Sequence, residues 1–258
     1  MSNLFFYSQQ LILKLKSYLP SKDNLDWLDA LTVFVCIWFN VFPYPSYKGL
    51  FCLLAFIPIL GITLTVLKGN ANFDSHIKKV FSKDGVEQNI VSVYILSSSL
   101  ALAISVYRNF ECESYYSLLT HGAIASLIFG VIFLLTHSNI KGTLKHQSEI
   151  YGVLVICILL YSYGVTYGVN CMFDSSTPER FQTKIIGKYT KKMRRSPRTY
   201  HLTITPWGHH HDTENLSVSS DQYDSFNSGD IVYMDLQKGL LDIPWYHIED
   251  TNEISNEW

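Results

Sequence analysis

The chain has 258 residues, of which 48% are hydrophobic, 14% aromatic and only 16% charged. Soluble domains carry about 25% charged residues, so this composition argues against an ordinary soluble enzyme. The formal net charge of −2 provides no basic field that would recruit nucleic acid, and we predict no nucleic-acid partner.

The first 27 residues hold an apolar stripe that lysines and glutamines interrupt. Lys14, Lys16 and Lys22 lie among its leucines and aromatic residues. A cleavable signal peptide has a continuous apolar core followed by small residues at the cleavage site, and neither is present here. We predict a cytoplasmic amphipathic segment over residues 1–27 that lies on the membrane surface. A frayed leader is the alternative.

Five apolar segments follow, and none has Lys, Arg or Glu in its interior. Each has about 17 to 20 residues, which is enough to cross a hydrocarbon core of about 30 Å as an α-helix. The pattern predicts an α-helical polytopic membrane protein with a five-helix transmembrane domain over residues 28–169. The predicted spans are 28–45, 49–67, 90–107, 118–136 and 150–169.

The basic residues of the connecting loops predict the orientation of these spans. Nine Lys residues lie in the N-terminal segment and in the second and fourth loops, whereas the opposite loops hold only Lys48 and Arg108. Because positive loops stay in the cytoplasm, we expect a cytoplasmic N-terminus and a periplasmic C-terminal domain.

Small residues recur at helical spacing in the last two spans. They are Gly122, Ser126 and Gly130 in the fourth span, and Gly164 and Gly168 in the fifth. Such residues allow close helix packing, either within the chain or in a homo-oligomer. The most polar residues inside spans are Asn40 and His121. Because transporters bury paired ionisable groups at mid-depth, this inventory disfavours transport.

The residues from 170 to 248 predict a small all-β domain, a barrel or a sandwich. β-Branched and aromatic residues alternate with polar ones between turn signals. The predicted strands are Phe181–Tyr189, Thr199–Trp207, Asn215–Ser219, Ile231–Leu236 and Leu240–Tyr246. Pro244 places the last strand at an edge, or ends it. Residues 249–258 form a predicted acidic flexible tail.

Three motifs in this region carry a resemblance. Asp174-x-x-x-Pro178 follows the last span, and the tail contains Gly229-Asp230-Ile231-Val232 and the segment 239–246, Gly-Leu-Leu-Asp-Ile-Pro-Trp-Tyr. With these motifs the chain resembles a loose group of uncharacterised bacterial multi-pass inner-membrane proteins that end in a small β-domain. The resemblance implies a bacterial inner membrane, and it implies no reaction or cofactor.

Basic residues cluster around one turn of the predicted β-domain. They are Lys191, Lys192, Arg194, Arg195 and Arg198. This turn is predicted to contact anionic lipid head groups or an acidic protein partner, with a simple solvated turn as the alternative. Tyr223 and Phe226, together with Trp207, Trp245 and Tyr246, are candidate aromatic anchors for a partner, or else residues that fill the barrel.

Cysteine and histidine residues suggest two further sites. Cys112 and Cys171 are both predicted to lie at the outer face, where an oxidising compartment favours a disulfide; two separate thiols are the alternative. The run from His209 to His211, before Asp212 and near His201, invites a metal site. Because adjacent histidines on a strand point in opposite directions, a polar loop is the preferred interpretation, and we expect no metal or cofactor.

These features predict a non-enzymatic inner-membrane protein that presents a periplasmic β-domain for protein binding or envelope sensing. Its partners would be membrane lipid and an envelope protein or an incoming toxin. An immunity protein against a membrane-acting toxin is a specialised form of this hypothesis. The alternatives are a small channel or transporter component and a membrane-tethered metal-dependent hydrolase.

Overall fold

The computed structural model describes residues 26–41, 46–67, 77–81, 87–136, 144–192 and 198–249. The chain divides into two compact units. The first, called here the helical unit, contains residues up to Asn109 and Tyr116–Met172. The second, the β-domain, contains Phe110–Tyr115 and the residues from Phe173 onwards. The predicted N-terminal segment 1–27 and acidic tail 249–258 lie almost wholly outside the described residues.

In the described residues, the helical unit contains five helices, one at each predicted apolar segment. They are α1 (Asp26–Val41), α2 (Tyr47–Leu67), α3 (Val93–Asn109), α4 (Tyr115–Thr136) and α5 (Leu144–Met172). A short antiparallel hairpin that the sequence analysis did not predict, β1 (Ile77–Phe81) and β2 (Glu87–Val91), lies between α2 and α3. Long runs of apolar residues with few charges favour helices because each helix satisfies its own backbone hydrogen bonds.

Three of the helices in the described residues are long and apolar enough to cross a membrane: α2, most of α4 and the Tyr151–Met172 part of α5. The described residues therefore contain three candidate membrane-spanning helices, where the sequence predicted five spans. The 16-residue α1 is apolar but short. The 17-residue α3 contains the buried serines Ser98, Ser99 and Ser105, which lower its hydropathy.

Helix α3 lies at the centre of the helical unit, packed against α1, α2 and α5. Leu102 and Val106 on α3 are fully buried. Asp29 of α1 accepts a hydrogen bond from the Tyr94 backbone N–H, at 2.8 Å, and so caps the start of α3. By contrast, only 11% of the most apolar stretch of α4 is buried, so most of its apolar side chains do not pack against other described residues.

Two glycines of α5 set how closely its neighbours approach. A Cβ atom at Gly164 would lie 2.8 Å from the Cβ of Leu102, and one at Gly168 would lie 2.4 Å from the Phe51 ring. Gly164 and Gly168 therefore pack against other helices of the same chain. At Gly122 and Gly130 of α4, an added Cβ would meet nothing within 4 Å among the described residues.

Over its described residues, the β-domain is a half-barrel sheet of six strands. They are β3 (Glu111–Cys112), β4 (Glu179–Lys191), β5 (Thr199–Ile204), β6 (Glu214–Val218), β7 (Ile231–Gln237) and β8 (Trp245–Ile248), paired antiparallel in the order β3-β8-β7-β4-β5-β6. The long strand β4 pairs with β7 through its first half and with β5 through its second. The pairing register shifts between Ile185 and Gly187, and such a bulge bends the sheet.

The core of this domain lies on one face of the sheet, under a short helix α6 (Ser220–Ser225). The core side chains are Ile185, Leu202, Ile204, Trp207, Leu216, Phe226, Val232, Met234, Tyr246 and Ile248. Helix α6 begins with a capping box in which the Ser219 side chain accepts from the Gln222 N–H, and the Gln222 side chain accepts from the Ser219 N–H.

The last predicted strand, Leu240–Tyr246, is displaced towards the C-terminus. Residues 238–244 form a turn in which Gly239 and Asp242 have positive φ values of 80° and 55°. Strand β8 starts only after Pro244, which lacks an N–H, and the segment 110–115 covers its outer edge through β3.

Candidate functional site

A cluster of polar side chains in the β-domain surrounds His210. Its Nε2 lies 2.6 Å from a carboxylate oxygen of Glu113, and its Nδ1 lies 2.5 Å from one of Glu214. The other carboxylate oxygen of Glu214 accepts a hydrogen bond from the Trp207 indole at 3.0 Å. The side chains of His210, Glu113 and Glu214 are 20%, 20% and 25% exposed, so solvent only partly screens these ion pairs.

Local structure holds the imidazole in place. Trp207 and His210 exchange backbone hydrogen bonds across a tight turn, in which Gly208 has a φ of 53°. The imidazole stacks on the Trp207 ring with the centroids 4.4 Å apart. Glu113 is positioned from the other segment of the domain, because its N–H donates to the Pro244 carbonyl beside β3 and β8.

Both ring nitrogens of His210 face a carboxylate oxygen. A neutral imidazole donates through one nitrogen only, so both contacts are ion pairs only when the ring is doubly protonated. Through these two contacts His210 joins Glu113 of the 110–115 segment to Glu214 in the rest of the domain.

The surroundings of the cluster are acidic and partly dry. Burial, followed by repulsion from Glu214, raises the pKa of Glu111. Burial, followed by the nearby carboxylates Glu214 and Glu111, raises the pKa of Tyr246. Carboxylates from both segments of the β-domain therefore lie close together around the His210 ring.

The predicted metal residues do not converge on one site. His209 and His211 are exposed, whereas His210 is engaged with two carboxylates. His201 stacks on Tyr189 with the ring centroids 4.9 Å apart. Within the described ranges, no group of three or more His, Cys, Asp or Glu side chains has the arrangement to hold a metal ion.

The basic turn lies at the end of the β4–β5 hairpin. Lys191, Lys192 and Arg198 are exposed and form no ion pair with any residue that the structure describes. Arg194 and Arg195 lie outside the described residues. The part of this turn that is described therefore offers unneutralised positive charge to solvent.

The candidate aromatic anchors mostly belong to the core. Phe226 is 3% exposed, and Trp207, Trp245 and Tyr246 are also buried. Tyr223 is half-buried against this core, below the Lys188 ammonium group, which lies 4.3 Å from its ring centroid. The burial of Phe226 removes it from the accessible surface, because its ring completes the apolar layer under the sheet.

A second aromatic surface, absent from the sequence analysis, lies on the opposite face of the sheet. Ile231 and Tyr233 of β7 pair directly with Lys184 and Gln182 of β4, so these side chains share one face. Ile231 is 56%, Tyr233 38% and Tyr189 42% exposed. We call Gln182, Lys184, Tyr189, Ile231 and Tyr233 the outer sheet face. No signal in the sequence marks this face, because Ile231 to Met234 are all apolar or aromatic and nothing in that run separates the exposed from the buried side chains.

The two cysteines of the predicted disulfide belong to different units. Cys112 is buried on β3 of the β-domain, and Cys171 is buried near the end of α5 in the helical unit. The disulfide between them stays a prediction.

Comparisons of the chain with protein-family models, with curated proteins and with solved structures find no match.

Proposed function

We propose that the chain is a non-enzymatic integral membrane protein that displays its β-domain as a protein-binding module on the outer side of a bacterial inner membrane. The observation that carries this proposal is the outer sheet face. Exposed Ile231 and Tyr233 lie beside Lys184, which forms no ion pair with any described residue, and exposed Tyr189 lies further along β4. Aromatic and apolar residues exposed together, flanked by positive charge, are typical of a surface that binds an acidic protein.

The proposal includes five membrane crossings. Helices α1 and α3 fall short by length or hydropathy, yet both pack within the helical unit. The low hydropathy of α3 does not prevent it from crossing a membrane, because its serines face other helices and not lipid. Five crossings place nine basic residues inside and two outside. If only α2, α4 and α5 crossed, six basic residues would lie inside and five outside. The positive-inside rule therefore favours five crossings over three.

Site-specific photocrosslinking in cells tests the binding surface. A photoreactive phenylalanine analogue replaces Tyr189 or Tyr233, and the matched control replaces Ser220. Ser220 is also exposed but lies in α6, which covers the opposite face of the sheet. We expect a discrete protein adduct from positions 189 and 233, none from 220, and loss of the adduct when Lys184→Glu reverses the charge. No adduct at 189 and 233, or equal adducts at 220, would contradict the proposal.

Immunity to a membrane-acting toxin is the specialised form of this proposal. Here the partner is a toxin that reaches the inner membrane from outside, and the outer sheet face sequesters it. Expression of the full chain then protects a toxin-sensitive strain, and the double variant Lys184→Glu, Ile231→Glu at equal membrane abundance removes the protection. Full protection by the double variant would show that another surface is responsible.

A further inference from the structure

A polar cavity of about 100 Å³ lies within the helical unit, several times the volume that one water molecule needs. It is formed where α1 ends, α2 begins and α3 ends. Its lining residues are Phe39, Asn40, Tyr47, Ser105, Arg108 and Asn109. No carboxylate from the described residues lines it.

A hydrogen-bond network fixes the wall of this cavity. The Asn109 side-chain amide donates to the Tyr47 hydroxyl at 2.9 Å and to the Ser105 hydroxyl at 3.3 Å. The two hydroxyls lie 2.7 Å apart, and one donates to the other. Because Asn109 makes both hydroxyl oxygens acceptors, one of the two hydroxyl protons remains for a ligand. Phe39 stacks on the Tyr47 ring, with the centroids 4.8 Å apart, and holds it in place.

The remaining donors also favour an anion. Arg108 has five N–H groups and forms no ion pair with any carboxylate in the described part of the chain. Asn40 uses one amide N–H for the Cys36 carbonyl, at 3.0 Å, and keeps the second. A guanidinium, a hydroxyl and an amide therefore meet at one small cavity. This donor set matches the oxygens of a phosphate group, which Arg binds with two parallel hydrogen bonds.

We propose that this cavity binds the phosphate of an anionic phospholipid head group. Because the cavity lies at the ends of apolar helices, it would face the head-group layer of a bilayer. Tyr107, next to Arg108, is 76% exposed, as expected for a tyrosine at the membrane interface. Basic pockets between membrane helices bind anionic head groups, whereas free phosphate is the other source of the same chemistry. The inference goes beyond the proposed function, because it requires membrane insertion but no protein partner.

Titration calorimetry on the delipidated full chain in neutral detergent tests this proposal. The probes are short-chain phosphatidylglycerol, the matching diacylglycerol without phosphate, and inorganic phosphate. We expect one phosphatidylglycerol per chain, no binding of the diacylglycerol, and weak or absent binding of inorganic phosphate. Arg108→Gln should weaken phosphatidylglycerol binding at least tenfold, whereas Arg108→Lys should weaken it less. The control Lys238→Gln removes an exposed cation of the β-domain and should change nothing.

Two results would overturn the lipid site. One is equal phosphatidylglycerol binding by the wild-type chain and by Arg108→Gln. The other is inorganic phosphate binding as tightly as the lipid, which would make free phosphate the ligand. Asn40→Leu provides a second variant that keeps the charge and removes a donor, and it should also weaken binding. Circular dichroism and gel filtration verify that each variant is folded.

Discussion

Asp174 connects the residues on which the sequence resemblance rests. Its carboxylate accepts hydrogen bonds from the backbone N–H groups of Ser176 and Gly239, both at 2.8 Å, and from the Trp245 indole at 3.1 Å. The motifs that begin at Asp174 and at Gly239 are therefore two parts of one local structure, although about 65 residues separate them in the chain. A carboxylate with three donors is a structural anchor.

Asp174 should make the stability of the β-domain sensitive to acid. Burial acts to raise the pKa of Asp174, but hydrogen bonds from Ser176, Gly239 and Trp245 outweigh it and lower the pKa. This stabilisation is thus present above the ordinary pKa of aspartate and is lost as the pH falls through the lowered value. Asp174→Ala should cost roughly 1–3 kcal/mol at neutral pH and flatten the acid limb of a melting-temperature profile. An unchanged acid limb would contradict this role.

His210 should be energetically coupled to Glu113 across the two segments of the β-domain. A double-mutant cycle with His210→Ala and Glu113→Ala should give a coupling energy of about 1–2 kcal/mol. Native-state hydrogen exchange at the Glu113 and Tyr246 amides provides the opening free energies. The control cycle uses Lys238 and Asp242, an exposed ion pair that should show no measurable coupling. Additive effects of the His210 and Glu113 substitutions would show that the contact between these two side chains does not stabilise the domain.

At the scale of elements, α5 offers a matched pair of glycines. An added Cβ at Gly164 would collide with Leu102 and the Ala103 backbone of α3, whereas one at Gly152 would meet nothing within 4 Å among the described residues. Gly164→Ala should therefore destabilise the helical unit by about 1–3 kcal/mol, as overpacking does. Gly152→Ala should leave the melting temperature of the full chain in detergent unchanged or slightly higher. Equal effects at the two positions would contradict the close packing of α3 and α5.

The alternation of residue types along the sequence predicted those strands that are long enough to show it. Four of the predicted strands match β4, β5, β6 and β7 to within a few residues, because alternation or β-branched content marks them. Strand β3 has two residues and no period of its own, so only its pairing with β8 defines it. The displacement of β8 follows from the turn at Gly239 and Asp242, where positive φ values replace the extended backbone that Leu240 and Leu241 suggested.

The candidate site was less predictable than the fold, because it depends on contacts between residues that are far apart in the sequence. The importance of His210 depends on Glu113, which lies 97 residues away and arrives through β3. In the sequence, the three histidines are equivalent; in the structure, only His210 is held between carboxylates. Likewise, the sequence around Phe226 is compatible with an exposed anchor, and only the folded sheet shows that its side chain belongs to the core.

At the scale of the whole molecule, the chain passes between the two units three times, at Asn109, Tyr115 and Met172. The β-domain is thus built from two chain segments that both emerge from helices. This connection requires the 110–115 segment and the residues after Met172 to lie on the same side of a membrane. Composition alone predicted a membrane protein with a soluble tail, but it could not show that an inter-helix loop completes the tail domain.

Measuring sidedness tests directly whether five helices present this β-domain outside the membrane. Single cysteines at Ser228, Ser138 and Ser82 are reacted with a membrane-impermeant maleimide in spheroplasts and after lysis, with the unsubstituted chain as background. We expect labelling of Ser228→Cys in intact spheroplasts, and of Ser138→Cys and Ser82→Cys only after lysis. Labelling of Ser82→Cys before lysis would reduce the crossings to three, and protection of Ser228→Cys would place the β-domain in the cytoplasm and contradict the proposed topology.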